Sequence, residues 1–419
     1  MSIAPLYTIP TSLLLAAAVT AQGGWSAPVF EPALNSTAAD SGPHLSFDGL
    51  TLHFASFRVN GSMIGNWEIY SSTRGFPGDA WSAPVPVNEL NDPAATDDQP
   101  FLVVGDLEIY FASTRAGGLG GFDILHSTRA ATNQPWDPPT FVTELNSAGS
   151  ESSFSLTADG LEAYILTTGW GAPFAPQNAI FRATRPSTGM PFGTPTVVSE
   201  LLTPNTHRDC EIAPDGLSIV YTEFISPRLK VFYAERPNTG APFGTPVVWT
   251  EFDNVGTLSG VFSFTRAVAG NEAFLAAGFA AAAGGQEIMS TRRSVAYGTG
   301  CGAPLPLGLG ATAAVLGSNW DFTTTHIDPI SPIAVTFFGN TRVFVPIDFL
   351  GATGCFAHID ALNGSLTGVN MSGTSVASLP VPLNLVLIGQ SLTAQSVCLT
   401  LGNAFNLYTS NGIEGTIGY

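Results

Sequence analysis

The chain has 419 residues, 45% of them apolar, enough to bury two or three separate cores. Its 14 Lys and Arg face 32 Asp and Glu, a formal charge of −18 that repels phosphate backbones and anionic lipid, so nucleic acid is not an expected partner. The 45 glycines and 31 prolines favour short strands and tight turns over long helices.

The chain opens MSIAPLYTIPTSLLLAAAVTAQ, with a short apolar run from Leu13 to Val19 and small residues at Val19-Thr20-Ala21. This predicts a signal peptide over 1–21 and an extracytoplasmic protein, although the usual basic start is missing. A misassigned start is the alternative. No other apolar run reaches the roughly 20 residues of a membrane helix, so no span is expected.

From residue 22 onward an aromatic is followed three residues later by proline five times: Trp25/Pro28, Trp81/Pro84, Trp136/Pro139, Phe192/Pro195 and Phe243/Pro246. Steps of 51 to 56 residues mark copies of one supersecondary unit. Glu89, Glu144, Glu200 and Glu251 lie eight residues after the last four aromatics. A turn recurs on the same period, at Asp48-Gly49, Gly105-Asp106, Asp159-Gly160, Asp215-Gly216 and Gly270-Asn271. Such pairs suit a two-residue hairpin turn, and alternating apolar segments flank each one. A third strand then ends at Arg74, Arg129, Arg185, Arg236 or Arg292, and the aromatic-x-x-Pro segment leads to a fourth whose proline suits an outer edge.

Four antiparallel strands per unit describe a β-propeller blade. The last unit ends without a fourth strand, whereas Trp25 to Asn35 is a fourth strand with nothing before it. Docking one on the other closes a five-bladed ring over residues 22–296 and leaves no open sheet edge. The stretches SFDGLTLHFASFR (46–58) and VVGDLEIYFASTRAGGLGGFDILHSTR (103–129) resemble the WD40-like repeats of TolB-type bacterial propellers. That resemblance implies an extracytoplasmic scaffold for binding, and it names no ligand.

Residues 297–419 lose the repeat and hold one basic residue, Arg342. Strand-like runs at 333–338, 342–349, 383–388 and 396–401 predict a small antiparallel β-sandwich, similar to the C-terminal module of secreted bacterial repeat proteins. Cys210, Cys301, Cys355 and Cys398 show no metal or redox spacing. Export permits a disulfide, with Cys301 to Cys355 as the expected pair and Cys210 as a buried thiol.

Residues that recur in every unit cannot mark a unique site, so an ion pair between the repeated Glu and a neighbouring Arg is the expected structural role of both. Function is sought where copies differ. Asp40, Asp97, Glu151 and His207 occupy equivalent positions eight residues before the turn, with Asp98 and Asp209 beside two of them. If their loops share a face, these groups converge on the channel mouth and could hold a polyhydroxylated ligand or a divalent cation. Capping of loop N–H groups is the simpler role for the same acids. Trp170, in an extended loop of the third unit, could stack on a sugar or anchor the loop. The expected function is a non-catalytic module binding protein or polysaccharide at the loop face. The alternative is a glycoside hydrolase using Asp40, Asp98, Glu151 and Asp209, since five-bladed propellers include such enzymes and sugar cleavage takes two carboxyls. No nucleophile elbow, zinc-protease or P-loop motif is present.

Overall fold

The computed structural model describes residues 25–416 apart from 59–65, 76–79, 256–259, 267–271, 279–284, 298–299, 303–304, 313, 315–317, 361–363 and 383–390. The expected signal peptide, the Gly270-Asn271 turn and the run 383–388 lie outside the described residues.

The protein is all-β: a five-bladed propeller followed by an antiparallel sandwich. The first strand, β1 (Val29–Phe30), belongs to the last blade. Blade one follows as β2 (Asp40–Leu45), β3 (Thr51–Ser56), β4 (Glu68–Thr73) and β5 (Val85–Pro86). Blade two is β6 (Asp97–Leu102), β7 (Glu108–Ser113), β8 (Asp123–Thr128) and β9 (Thr140–Phe141). Blade three is β10 (Glu151–Leu156), β11 (Glu162–Thr167), β12 (Ala179–Thr184) and β13 (Thr196–Val197). Blade four is β14 (His207–Ile212), β15 (Ser218–Ile225), β16 (Arg228–Glu235) and β17 (Val247–Val248). Blade five is β18 (Gly260–Arg266), β19 (Glu272–Gly278) and β20 (Gln286–Arg292), completed by β1.

The closing strand pairs Val29 with Ser290 and Phe30 with Met289, the same register in which Val85 and Pro86 pair with Ser71 and Tyr70. Asn35 adds a side-chain clamp: its amide exchanges two hydrogen bonds with the backbone of Ile288, at 2.7 and 2.8 Å. Asn91 does this to Ile69 and Asn146 to Ile124, so the amide extends each short fourth strand by one rung.

Two expectations about the repeat are corrected. The turn is a four-residue loop instead of a two-residue one: Ser46 N–H bonds Thr51 C=O, and Gly49 (φ +74°) sits where the chain needs a left-handed residue. The Asp48 carboxylate holds it by accepting Leu50 N–H and the Ser46 hydroxyl. The outer Glu residues do not pair with the terminal Arg: Glu144 and Glu200 accept the backbone N–H of Phe192 and Phe243 in the next blade. The arginines stack on the aromatics of their own repeat, Arg74 on Trp81 at 4.5 Å and Arg129 on Trp136 at 4.2 Å. Each of these aromatics is nearly buried, so the copied Trp or Phe is an inter-blade core residue.

Sheet pairing changes hands at Val295–Tyr297, which joins a five-stranded sheet of the C-terminal module. A three-stranded sheet faces it across Trp320, Phe322, Phe338, Ala394 and Ile413. Ser294 seals the junction, donating to Thr312 C=O and accepting from the Trp320 indole. Cys301 and Cys355 form a disulfide; Cys210 and Cys398 are buried free thiols.

Candidate functional site

Four of the five innermost strands begin with a residue singled out above, and the fifth begins with Gly260. Asp40, Asp97, Glu151 and His207 are all 0% exposed. Asp40 accepts Arg58 at 2.6 Å and the N–H and hydroxyl of Ser36. Asp97 accepts Arg115 at 2.6 Å and Asp92 N–H at 2.7 Å. The Ala-Ser-x-Arg sequence of the second strand exists for this contact, since the Ser hydroxyl accepts the Nε–H of the same Arg. Blade three has no such Arg, and Glu151 takes the hydroxyls of Ser147 and Thr167 instead. In blade four the acid moves across the ladder. His207 pairs with Glu223, and Glu223 accepts Thr203 and Asn205.

Asp40, Asp97 and Glu151 therefore tie the crossover loop to the inner strand of their blades, and His207 turns its Nδ1 to Asn178 C=O. They do not converge on a mouth, and among the described residues no cluster of three or more His, Cys, Asp or Glu could hold a metal ion. Trp170 folds back as well, with its indole N–H on Leu145 C=O at 3.2 Å and its ring against the blade core. The Gly117 to Gly121 loop wraps the Asp123 carboxylate, which accepts Leu119 and Gly120 N–H. A Cβ on Gly118 would lie 2.0 Å from that carboxylate.

Asp98 and Asp209 behave differently, and each sits beside a bulge of its inner strand. Asp209 bridges three blades by accepting the Ser153 hydroxyl and Phe264 N–H, both at 3.0 Å. Asp98 accepts only the N–H of Gln99, a residue held at φ +53°. Withdrawal from water pushes both carboxyls up to about 6.

Further along the channel, side chains from all five blades meet: His44, Phe101, Leu156, Glu211 and Arg266. The His44 ring packs tilted against Phe101, with centroids 4.4 Å apart, and faces Glu211 across the axis at 3.6 Å. The remaining cavity is about 40 Å³, far below the roughly 300 Å³ at which ligand pockets start.

The roomier recess lies elsewhere, between blades one and two on the turn side of the ring. It measures about 480 Å³ and is lined by Thr51, His53, Asp106, Arg129, Asn133 and Trp136 among others. Sequence reasoning passed over it. The available signal was the second strand of each blade: Glu-x-Tyr in blades two and three and Glu-x-Phe in blade five become Thr51-x-His53 in blade one.

No protein-family model matches the chain, and no curated protein sequence does. Among solved structures, TolB from Acinetobacter baumannii is similar over 50% of this chain, at 18% identity and a TM-score of 0.31. The chain spans 43% of that TolB chain. A thermostable family-43 glycoside hydrolase is similar over 64% of this chain and 93% of its own, at 10% identity and a TM-score of 0.43. A xylan β-1,4-xylosidase from Bacillus halodurans C-125 is similar over 91% and 89%, at 12% identity and a TM-score of 0.40.

Proposed function

We propose that this protein is an extracytoplasmic, non-catalytic propeller that binds a carbohydrate or protein partner through recesses of its ring. One observation carries the reading: where side chains of all five blades meet on the axis about 40 Å³ is left, while the seam between blades one and two opens to about 480 Å³. Asp40 and Glu151 are consumed in loop contacts, and the axis where the five blades meet admits no sugar ring. A seam lined by hydroxyls, amides, one Arg and one Trp suits recognition of a polar ligand.

A polysaccharide and glycopeptide array, read in parallel for retained ligand and for released reducing ends, tests this. Retention without product is expected. Product that disappears in Glu151→Gln and Asp98→Asn would overturn it.

The second reading, a carbohydrate hydrolase, is favoured by the carboxyls of Asp98 and Asp209, both lifted to about 6 on the channel wall. Acid and base catalysis of glycoside cleavage uses carboxyls tuned in that way.

A further inference from the structure

The seams between neighbouring blades share a clamp, and two of the five lack its glutamate. The Arg that ends a blade's third strand donates Nε–H to the carbonyl of its own turn: Arg74 to Gly49, Arg129 to Asp106, Arg185 to Gly160 and Arg236 to Gly216, all at 2.6–2.8 Å. Its outer nitrogens then reach a Glu that opens the second strand of the preceding blade. Arg74 takes Glu272 at 2.6 Å, and Arg236 takes Glu162 at 2.7 Å. Glu108, held below its ordinary range first by His126, is lowered further by Arg185.

Arg129 should meet the same group on blade one. Thr51 stands there instead, and the carboxylate whose charge acts on Arg129 is Asp106 of its own turn, which forms no ion pair with it. The tyrosine or phenylalanine that fills the seam in blades two, three and five is replaced by His53, which leaves the 480 Å³ recess. Ser218 is the other exception, and Arg266 reaches it at 3.4 Å from blade five.

Two buried atoms in the recess are also unsatisfied. His53 Nδ1 and Asp106 Oδ1 have no hydrogen-bond partner, and His53 is only 2% exposed. Both atoms are closed off from solvent. Burial and the nearby charge of Arg129 drive His53 down to about 3, so its ring is neutral at physiological pH. Three acids share the lining. Asp48 is occupied by its turn, Asp106 is raised by burial and by Asp48, and Glu89 is exposed.

We propose that this recess binds a sugar acid, whose carboxylate takes the place of the glutamate missing at Thr51 and pairs with the outer nitrogens of Arg129. Hydroxyls of the same ligand meet the polar side chains of Asn133 and Gln134 on the recess wall, which an apolar acid cannot do. The inference rests on the binding-module reading and adds the ligand class.

Titration calorimetry with galacturonate, galactose and inorganic phosphate tests it on the full chain. Galacturonate should bind at least tenfold more tightly than either comparator, and Arg129→Gln should lose at least tenfold. Thr51→Glu supplies the clamp from within, so it should abolish galacturonate binding while raising the melting temperature; that rise shows the variant is folded. Equal affinity for galactose, equal affinity for phosphate, no binding of galacturonate, or undiminished binding in Thr51→Glu would each overturn the inference. A protein that retains ligands on the array yet ignores galacturonate loses this assignment and keeps its function as a binding module.

Discussion

Glu272 is the residue on which circular closure leans most heavily. It opens the second strand of the last blade and accepts Arg74 of the first blade through both oxygens, at 3.1 and 2.6 Å, and Arg292 of its own blade at 2.8 Å. Side-chain exposure is 7% for Glu272, 1% for Arg74 and 8% for Arg292. Removing one partner of a buried ion pair strands the other charge and costs about 3–5 kcal/mol. Glu272→Ala should therefore destabilise the propeller by about that much, with Glu272→Gln intermediate because one acceptor survives. Adding Arg74→Met to Glu272→Ala should recover part of the loss, since the stranded cation is gone. Urea unfolding followed by tryptophan fluorescence suits the measurement, because Trp81 lies against Arg74. The sign of the pH effect is fixed as well. The two arginines hold the Glu272 carboxyl below its ordinary range against the effect of burial. Its contribution is thus complete above the unfolded-state value and fades as pH falls through the folded one. A loss under 1 kcal/mol, or a double variant no more stable than Glu272→Ala, would refute the account.

Asp98 has the opposite sign. Lifted from 3.8 to about 6, its carboxyl favours the native state at low pH, and that advantage disappears as pH rises through 6. Asp98→Asn should stabilise the protein at pH 8 and flatten its stability profile between pH 4 and 7, as read by denaturant melts at each pH. Asn35→Ala deletes both amide bonds to Ile288 and leaves that backbone unpaired, so it should cost about 1–3 kcal/mol and speed hydrogen exchange in residues 286–292. Unchanged exchange there would remove the amide clamp from the explanation. Reducing Cys301–Cys355, which closes 54 residues of chain, should destabilise the C-terminal module by about 2–4 kcal/mol while leaving the propeller transition in place. Differential scanning calorimetry with and without reductant separates the two transitions.

Much of this architecture was legible in the residues themselves. Copies of one blade share their landmarks because each copy solves the same local problem, so Trp81, Trp136 and Phe243 reveal the period and the orphan strand near Trp25 reveals the closure. The roles of those landmarks were less legible. Glu144 looked like an ion-pair partner and is an acceptor for the next blade's backbone. Asn35, Asn91 and Asn146, each placed just after a conspicuous Leu, carry the clamp that the Glu residues were expected to supply.

The sequence by itself determined the number of blades, the strand order and the closing segment, because hydrogen-bonded pairing within a blade is local and repeats with the chain. Only the tertiary structure decided which polar groups are free. Asp40, Asp97 and Glu151 find their partners across crossover loops, and Phe101, Leu156 and His44 close the axis from three different blades. Arg129 meets Thr51 where Arg74 and Arg236 meet a glutamate of the preceding blade, because of the residue at position 51, 78 residues before it in the chain. Charge compensation and cavity shape arise between blades, where distance in space has no fixed relation to distance in sequence.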